Sequence, residues 1–365
     1  MEKNFWKKRR VFLTGHTGFK GSWLSLWLQE MGAEIVGFSL PPPTHQNLYD
    51  LADVGKKMKS IEGDIRELTA IKKAMREAEP TIVIHLAAQP LVRISYSTPV
   101  DTYAVNVMGT VNTLEAIRST ATVKAAVMIT TDKCYENKEW MWGYRENEPM
   151  GGHDPYSSSK GCAELVISAY RRSYFTDLKS PQIASARAGN VIGGGDFAED
   201  RLIPDFIRAL QSHKKLEVRN PDATRPWQYV LEPLAGYLQL AESLVSNSGQ
   251  RFAEGWNFGP NDQDVWPVKN VLNSILDNWS NPNINLNFGT SSDLHEAQAL
   301  KLDSSKAKFK LGWSPKMHLE EALKWVVLWY QAFLEGSSVR DITLNQIGQY
   351  TARLLDNSVA QKGLI

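Results

Sequence analysis

Tyr156 and Lys160 stand four residues apart in a stretch that Pro155 opens as a helix, which puts both side chains on one face about one turn apart. Such a pair can move a proton. A tyrosine, whose phenol ordinarily titrates near ~10, is a poor base at neutral pH, but a neighbouring ammonium stabilises the phenolate, which can then take a proton from an alcohol. With 12 tyrosines in the chain, one Tyr-x-x-x-Lys is expected by chance. Position singles this one out: one crossover earlier, the apolar run Ala125–Ile129 leads to Thr130-Thr131-Asp132-Lys133, on the sheet edge where a cofactor should lie.

The partner for that chemistry is signalled at the N-terminus. Val11-Phe12-Leu13-Thr14-Gly15-His16-Thr17-Gly18-Phe19-Lys20-Gly21 reads as a buried strand, a glycine-punctuated turn and the start of a helix expected over Ser22–Met31. Gly15 permits the tight turn, Gly18 lets the main chain approach a pyrophosphate, and Gly21 lets helix and strand pack closely. The helix N-terminus then offers N–H groups and partial positive charge to phosphates. The spacing is G-x-x-G-x-x-G. At the end of the second strand, where an acid would mark NAD and an arginine NADP, the chain has Ser39, so that test stays open. Asp64, just past a third strand, reads either as an acceptor for the adenine amino group or as a helix cap. Leu86-Ala87-Ala88 supplies small residues on which a flat ring can lie.

These residues need a scaffold. Short apolar strands are expected at Glu34–Phe38, Lys59–Glu62, Thr81–Leu86 and Ala125–Ile129, with Gln182–Ala188 as the last core strand. Helical stretches alternate with them, among them Asp101–Ser119 with Asn106 inside it and the helix from Tyr156. This alternation predicts an α/β fold, a doubly wound parallel (Rossmann) sheet over 1–188, with a smaller C-terminal α/β lobe over 189–365. The aromatic, turn-rich segment 136–155 can close on a substrate or simply pack locally. Leu319–Leu334 is an amphipathic helix whose Trp325 and Trp329 are expected to pack.

Composition narrows the class. The 365 residues are 42% hydrophobic, and 41 basic against 40 acidic side chains give a net charge of +1, which recruits neither nucleic acid nor an anionic membrane. Lys7-Lys8-Arg9-Arg10 reads as a solvated lead-in to the first strand. Cys134 and Cys162 make no disulfide framework, and the scattered histidines make no metal motif, so no metal and a cytoplasmic setting are expected. No apolar run is long enough to span a membrane.

In their order, Gly15/Gly18/Gly21, Asp64, Leu86-Ala87-Ala88, Asn106, Thr131 and Tyr156/Lys160 make the chain resemble an extended short-chain dehydrogenase/reductase over nearly its whole length. The resemblance implies NAD, a nucleotide-sugar substrate and hydride exchange at the hexose C4. It implies cofactor contacts at Gly15, Thr17, Gly18, Phe19, Gly21, Asp64, Ile65, Leu86, Ala87, Ala88 and Asn106, besides Tyr156 and Lys160. In the nucleotide-sugar 4,6-dehydratases of this family an acid follows the threonine, usually with Glu next, where this chain has Lys133; epimerases usually lack that pair. Gly15–Trp23, Thr131–Tyr135 and Arg187–Asp196 resemble the dehydratase branch that acts on CDP-glucose.

That likeness implies a division of labour. Tyr156 and Lys160 serve C4 oxidation, Thr131 hydrogen-bonds the developing enolate, Lys133 removes the C5 proton and Asp132 protonates the leaving C6 hydroxyl. A lysine base must be neutral there, and a charged Lys133 would act electrostatically instead. Substrate contacts are implied at Asn190, Arg225, which sits in Arg225-Pro226-Trp227, and Asn257, with Gln89 and His295 as further candidates. A homo-oligomer, dimer or tetramer, is implied through the helix Tyr156–Tyr170, and a deoxysugar destined for surface polysaccharide such as lipopolysaccharide. The alternatives are a 4-epimerase, a dehydratase of another nucleotide sugar, or a non-catalytic NAD-binding scaffold.

Overall fold

In the computed structural model, residues 4–218, 220–279, 284, 286–289 and 299–362 are described, with side chains to residue 355. The strands are β1 (Arg10–Thr14), β2 (Glu34–Ser39), β3 (Lys59–Glu62), β4 (Ile82–His85), β5 (Ala125–Ile129), β6 (Gln182–Ala188), β7 (Val191–Ile192), β8 (Leu216–Val218), β9 (Thr224–Pro226), β10 (Gln228–Tyr229), β11 (Gly255–Phe258), β12 (Val265–Pro267) and β13 (Leu286–Phe288). The helices are α1 (Phe19–Glu30), α2 (Leu48–Leu51), α3 (Leu68–Ala78), α4 (Val92–Ser97), α5 (Pro99–Tyr103), α6 (Gly109–Arg118), α7 (Pro155–Ser173), α8 (Leu202–Ser212), α9 (Leu231–Val245), α10 (Val268–Asn278), α11 (Leu319–Leu334) and α12 (Val339–Lys362).

Seven strands form one parallel sheet in the order β11-β6-β5-β4-β1-β2-β3. Alternate residues of each strand serve opposite faces. Val11 and Leu13 join one apolar cluster with Trp23 and Trp27 of α1 and Leu234 and Leu238 of α9; Phe12 joins the other, with Ile71 of α3, Leu114 of α6 and Ile167 of α7. Helices therefore cover both faces, and the strand order reverses at β1, between β2 and β4. At that point the carboxyl ends of the strands open a crevice.

Several expectations need correction. The first helix begins at Phe19 rather than Ser22, directly after the glycine turn. The stretch expected as one helix over Asp101–Ser119 is α5, a π-turn at Ala104–Met108 and α6, with buried Asn106 in the wide turn. Gln182–Ala188 is not the last core strand, because β11 pairs in parallel outside β6, in register Gly255↔Ser185 to Phe258↔Ala188. The sheet thus extends past residue 188. Its edge strand was hard to read because Gly255-Trp256-Asn257-Phe258 carries an amide in a buried run.

The segment 136–155 is irregular and packs locally. Tyr144 forms a parallel bridge with Leu302, and both belong to a small apolar cluster with Cys134, Tyr135 and Leu300. Trp325 and Trp329 are core packing: the Trp329 indole donates to Thr343 on α12 at 2.9 Å, and the Arg353 guanidinium lies over the Trp325 ring. Among the described residues, no helix is long and apolar enough to cross a membrane.

Candidate active site

The glycine turn is built as a phosphate cradle. Gly15 adopts φ +75°, and a methyl group there would lie 2.6 Å from the Ala87 nitrogen, so the turn lies against the end of β4. A methyl on Gly21 would fall 2.1 Å from the Gly15 carbonyl oxygen, whereas one on Gly18 would meet the same oxygen at an ordinary contact distance of 3.5 Å. No side chain caps α1 and no acid occupies its first turn, which leaves those N–H groups for an anion. A dinucleotide's pyrophosphate fits this cradle. Thr14 accepts from the Ala87 N–H at 3.2 Å and Leu86 donates to the Thr14 carbonyl, which fixes the Leu86-Ala87-Ala88 edge beside the cradle.

At the end of β2 the Thr17 hydroxyl bonds the Ser39 hydroxyl at 2.8 Å and donates to the Leu40 carbonyl. Asp64 accepts from the Arg66 N–H and guanidinium, which holds its carboxyl below its usual range. Ile65 packs against Gly109 in the first turn of α6. His16, not expected to matter, fills the space above Gly37 and shares a 2.7 Å hydrogen bond with Ser60; burial lowers its pKa to about 4, so the ring is neutral.

Asp154 caps α7 by accepting from Ser157, and Pro155 opens it. One turn apart follow Tyr156 and Lys160, both buried. Thr131, in extended backbone at the end of β5, accepts from the Lys133 N–H and so starts a short 3₁₀ turn over Asp132–Cys134. Its hydroxyl donates to Asp132 Oδ1 at 2.9 Å and reaches the Tyr156 phenol. Lys133 Nζ lies 3.5 Å from both Asp132 Oδ1 and Asn190 Oδ1. Asp132 Oδ2 is buried with no partner, and a methyl on Gly189 would lie 3.2 Å from it. Thr131, Asp132, Lys133, Tyr156, Lys160 and Asn190 thus converge.

The electrostatics differ from expectation. Burial raises the Tyr156 phenol well above its usual value, and what opposes the rise is the Thr131 hydrogen bond and the Arg201 charge. Lys160 is lowered to about 8 by burial, offset by the Glu164 carboxylate and the Cys134 thiol. Two further cations were missed. Lys20 is drawn down to about 7 by burial and by the like charges of Lys160 and Arg201, and Arg201 is paired with Asp196 at 2.7 Å. A signal existed for the first: Lys20 is the only basic residue in the apolar helix Phe19–Glu30.

Other candidates are used differently. Asn106 donates to the Gln89 carbonyl and the Ser159 hydroxyl and accepts from the Gln89 N–H, so its amide joins the loop after β4 to α7. The Gln89 amide bonds Leu91 and Thr102. Asn257 is fully buried, accepting from the Tyr135 hydroxyl and donating to the Tyr144 and Asp303 carbonyls, so its amide is engaged within the protein. Phe19 reaches the loop after β7, where a methyl on Gly193 would come within 3.1 Å of its ring. Arg225 lies in β9, opposite Trp266 of β12, and the adjoining Pro226 packs on Gly189 beside Asp132. His295 falls outside the described residues.

The family model for GDP-mannose 4,6 dehydratase matches residues 12–326. A CDP-glucose 4,6-dehydratase of Salmonella typhimurium is 50% identical over 354 residues, covering 96% of this chain and 98% of that protein. Among solved structures, the dTDP-glucose 4,6-dehydratase DesIV of Streptomyces venezuelae, with NAD and TYD bound, gives a TM-score of 0.75 at 21% identity over 88% of this chain and 97% of that one. The UDP-glucose 4-epimerase of Thermotoga maritima, with UDP-glucose, gives 0.75 at 22% over 89% and 99%. At such identities the structural likeness speaks for the fold alone.

Proposed function

This chain belongs to the GDP-mannose 4,6-dehydratase family, and from that membership we propose that it is an NAD-dependent enzyme converting CDP-glucose to CDP-4-keto-6-deoxyglucose and water. The Gly15–Gly21 turn would hold NAD, which would supply a hydride acceptor for C4 and a hydride donor for C6 with no net oxidant consumed. Tyr156 takes the C4 hydroxyl proton. Its buried phenol needs positive charge nearby to ionise; Arg201 is the charge that opposes its rise, and the Lys160 ammonium, one turn along α7, is assigned the same role by the resemblance to the family. Thr131 donates to the C4 oxygen; Lys133, as the free amine, accepts the C5 proton that the ketone acidifies, and Asp132, as the carboxylic acid, protonates the departing C6 oxygen, so that the pair ends the step as ammonium and carboxylate, 3.5 Å apart as in the structure. Lys20 and Arg201 bring further basic side chains close to Lys160 and Tyr156, with Asn190 and Arg225 assigned to the sugar-nucleotide side.

The observation that carries the dehydratase over the epimerase is the placement of the Asp132 carboxyl group. One oxygen is fixed by Thr131 and Lys133, and the other is buried and unpaired beside Tyr156's neighbour Thr131. An epimerase has no leaving group to protonate and no use for an acid held so. A buried oxygen with no partner is costly unless a substrate hydroxyl supplies it.

The test incubates the purified protein and NAD+ with CDP-, dTDP-, GDP- and UDP-glucose in deuterated water and weighs the products. Loss of one water with one solvent deuterium gained, from CDP-glucose alone, is the expected result. Unchanged mass with conversion to the galactose isomer would replace dehydration by epimerisation, and no change in any sugar would leave a scaffold.

The same reading places the enzyme in the cytoplasm, supplying a deoxysugar nucleotide for surface polysaccharide such as lipopolysaccharide. It also assigns a homo-oligomer: Val100 of α5, Met108 of the π-turn and Leu165 of α7 are exposed apolar side chains on elements that pack together, which suits pairing with a second copy.

A further inference from the structure

Glu164 has no part in the chemistry above, yet it is one of the most enclosed charges in the protein, 4% exposed. It lies one helical turn beyond Lys160 on α7. Its Oε1 accepts from the Thr130 hydroxyl at 2.5 Å, and its Oε2 accepts from Ser185 at 2.8 Å and from Arg187 Nη2 at 2.7 Å. Arg187 Nη1 continues the chain to the Tyr135 hydroxyl at 2.6 Å, and that hydroxyl donates to Asn257. Thr130 immediately precedes Thr131, and Tyr135 follows Lys133 by two residues.

We propose that Glu164 is a positioning residue of the active site: its carboxylate holds both ends of the Thr131–Lys133 turn, directly through Thr130 and through Arg187 at Tyr135, and so fixes the elimination residues against the helix that carries Tyr156 and Lys160. The inference rests on the dehydratase reading. A hydrogen-bonded ion pair buried this deeply contributes little to net stability, because desolvation offsets most of the attraction. What it supplies is geometry. Three donors, Thr130 at the end of β5 and Ser185 and Arg187 on β6, meet one carboxylate on α7, so the turn cannot shift by an ångström without breaking a bond to a buried charge.

The same carboxylate acts on Lys160. Glu164 and the Cys134 thiol raise the lysine, against burial; from the other elements, His85 at the end of β4 and Lys20 on α1 feel its charge. Burial alone would push the Glu164 carboxyl up, but Arg187 and its hydrogen bonds hold it below the usual range, so it is ionised throughout the working pH.

The experiment compares the parent enzyme with Glu164→Gln, Thr130→Val and Tyr135→Phe, each loaded with NAD+ and checked for fold by circular dichroism. Two quantities are read with CDP-glucose: the dehydration rate, and the steady-state absorbance of enzyme-bound NADH at the wavelength of the reduced nicotinamide. A displaced turn slows elimination while C4 oxidation, carried by the helix, continues. In Glu164→Gln the expected result is at least a tenfold lower kcat, KM within threefold of the parent, accumulated NADH, and a basic limb of the kcat/KM profile moved to lower pH. Thr130→Val and Tyr135→Phe, which keep the charges, are expected to lower kcat several-fold and accumulate NADH with the limb in place. If Glu164→Gln fails to fold, these two decide. Folded variants with the parent's kcat and NADH level overturn the proposal, as does a loss of kcat with no NADH accumulated and an unmoved limb. A parent that removes water from no sugar nucleotide would instead overturn the functional reading, and this inference with it.

Discussion

Burial lowers Lys160 to about 8, so it is mostly protonated at neutrality and loses its charge just above it. The sign follows from the role proposed for the ammonium: as pH rises through that value the lysine loses its proton, the proposed mechanism loses that positive charge, and activity falls. We expect kcat/KM, which reports the free enzyme, to decline on the basic side from about pH 8, with a slope approaching tenfold per pH unit. A profile flat to pH 10 would show that Lys160 is not the group that matters. The residue scale also separates types from roles. Asn106 and Gln89 were recognisable as polar residues near the crevice, but only their hydrogen bonds reveal that each is engaged within the protein. Asn257 is the sharpest case, a buried hub joining Tyr135, Tyr144 and Asp303.

Among the elements, the loop Gly193-Gly194-Gly195 after β7 shows how the C-terminal half is joined to the cradle. Trp23 of α1 donates to the Gly194 carbonyl at 2.9 Å, and a methyl on Gly194 would lie 2.0 Å from the ring of Trp329 on α11. Neither partner can yield, since Trp329 is buried and bonded to Thr343. Gly194→Ala is therefore expected to destabilise the protein by about 1–3 kcal/mol, the usual cost of overpacking a filled core, read as a lower urea midpoint at unchanged slope. An unchanged midpoint would mean that the two helices are not held this closely. The three glycines were visible in the sequence. The reason for Gly194 was not, because the tryptophan it accommodates, Trp329, lies far along the chain.

Across the whole molecule, one side of the sheet is closed by α3, α6 and α7, and beside it Leu165 of α7, Met108 of the π-turn before α6 and Val100 of α5 are exposed. If a second copy covers this face, Leu165→Glu combined with Met108→Glu places charge in an apolar contact. The mass by light scattering should then fall from a multiple of the chain to that of a single chain. A parent that is already monomeric, or a variant that keeps its mass, would move the interface elsewhere. Because α7 carries Tyr156 and Lys160 as well as Leu165, loss of pairing is expected to lower activity together with mass.

The alternation of strands and helices from β1 to β6, the glycine turn and the spacing of Tyr156 and Lys160 were determined by the sequence alone, because each is a local pattern: apolar runs of strand length, a turn that only glycine permits, two residues one helical turn apart. Thr131, Asp132 and Lys133 were legible by type and by resemblance. The tertiary structure decided what depends on distant parts of the chain meeting. It brought β11 into the sheet beyond residue 188, set Lys20 and Arg201 beside Tyr156 and Lys160, and closed the Glu164–Arg187–Tyr135 network. It also decided the charge states, since the shift of a buried group is set by the water it loses and the charges folded around it, and neither is written in neighbouring residues.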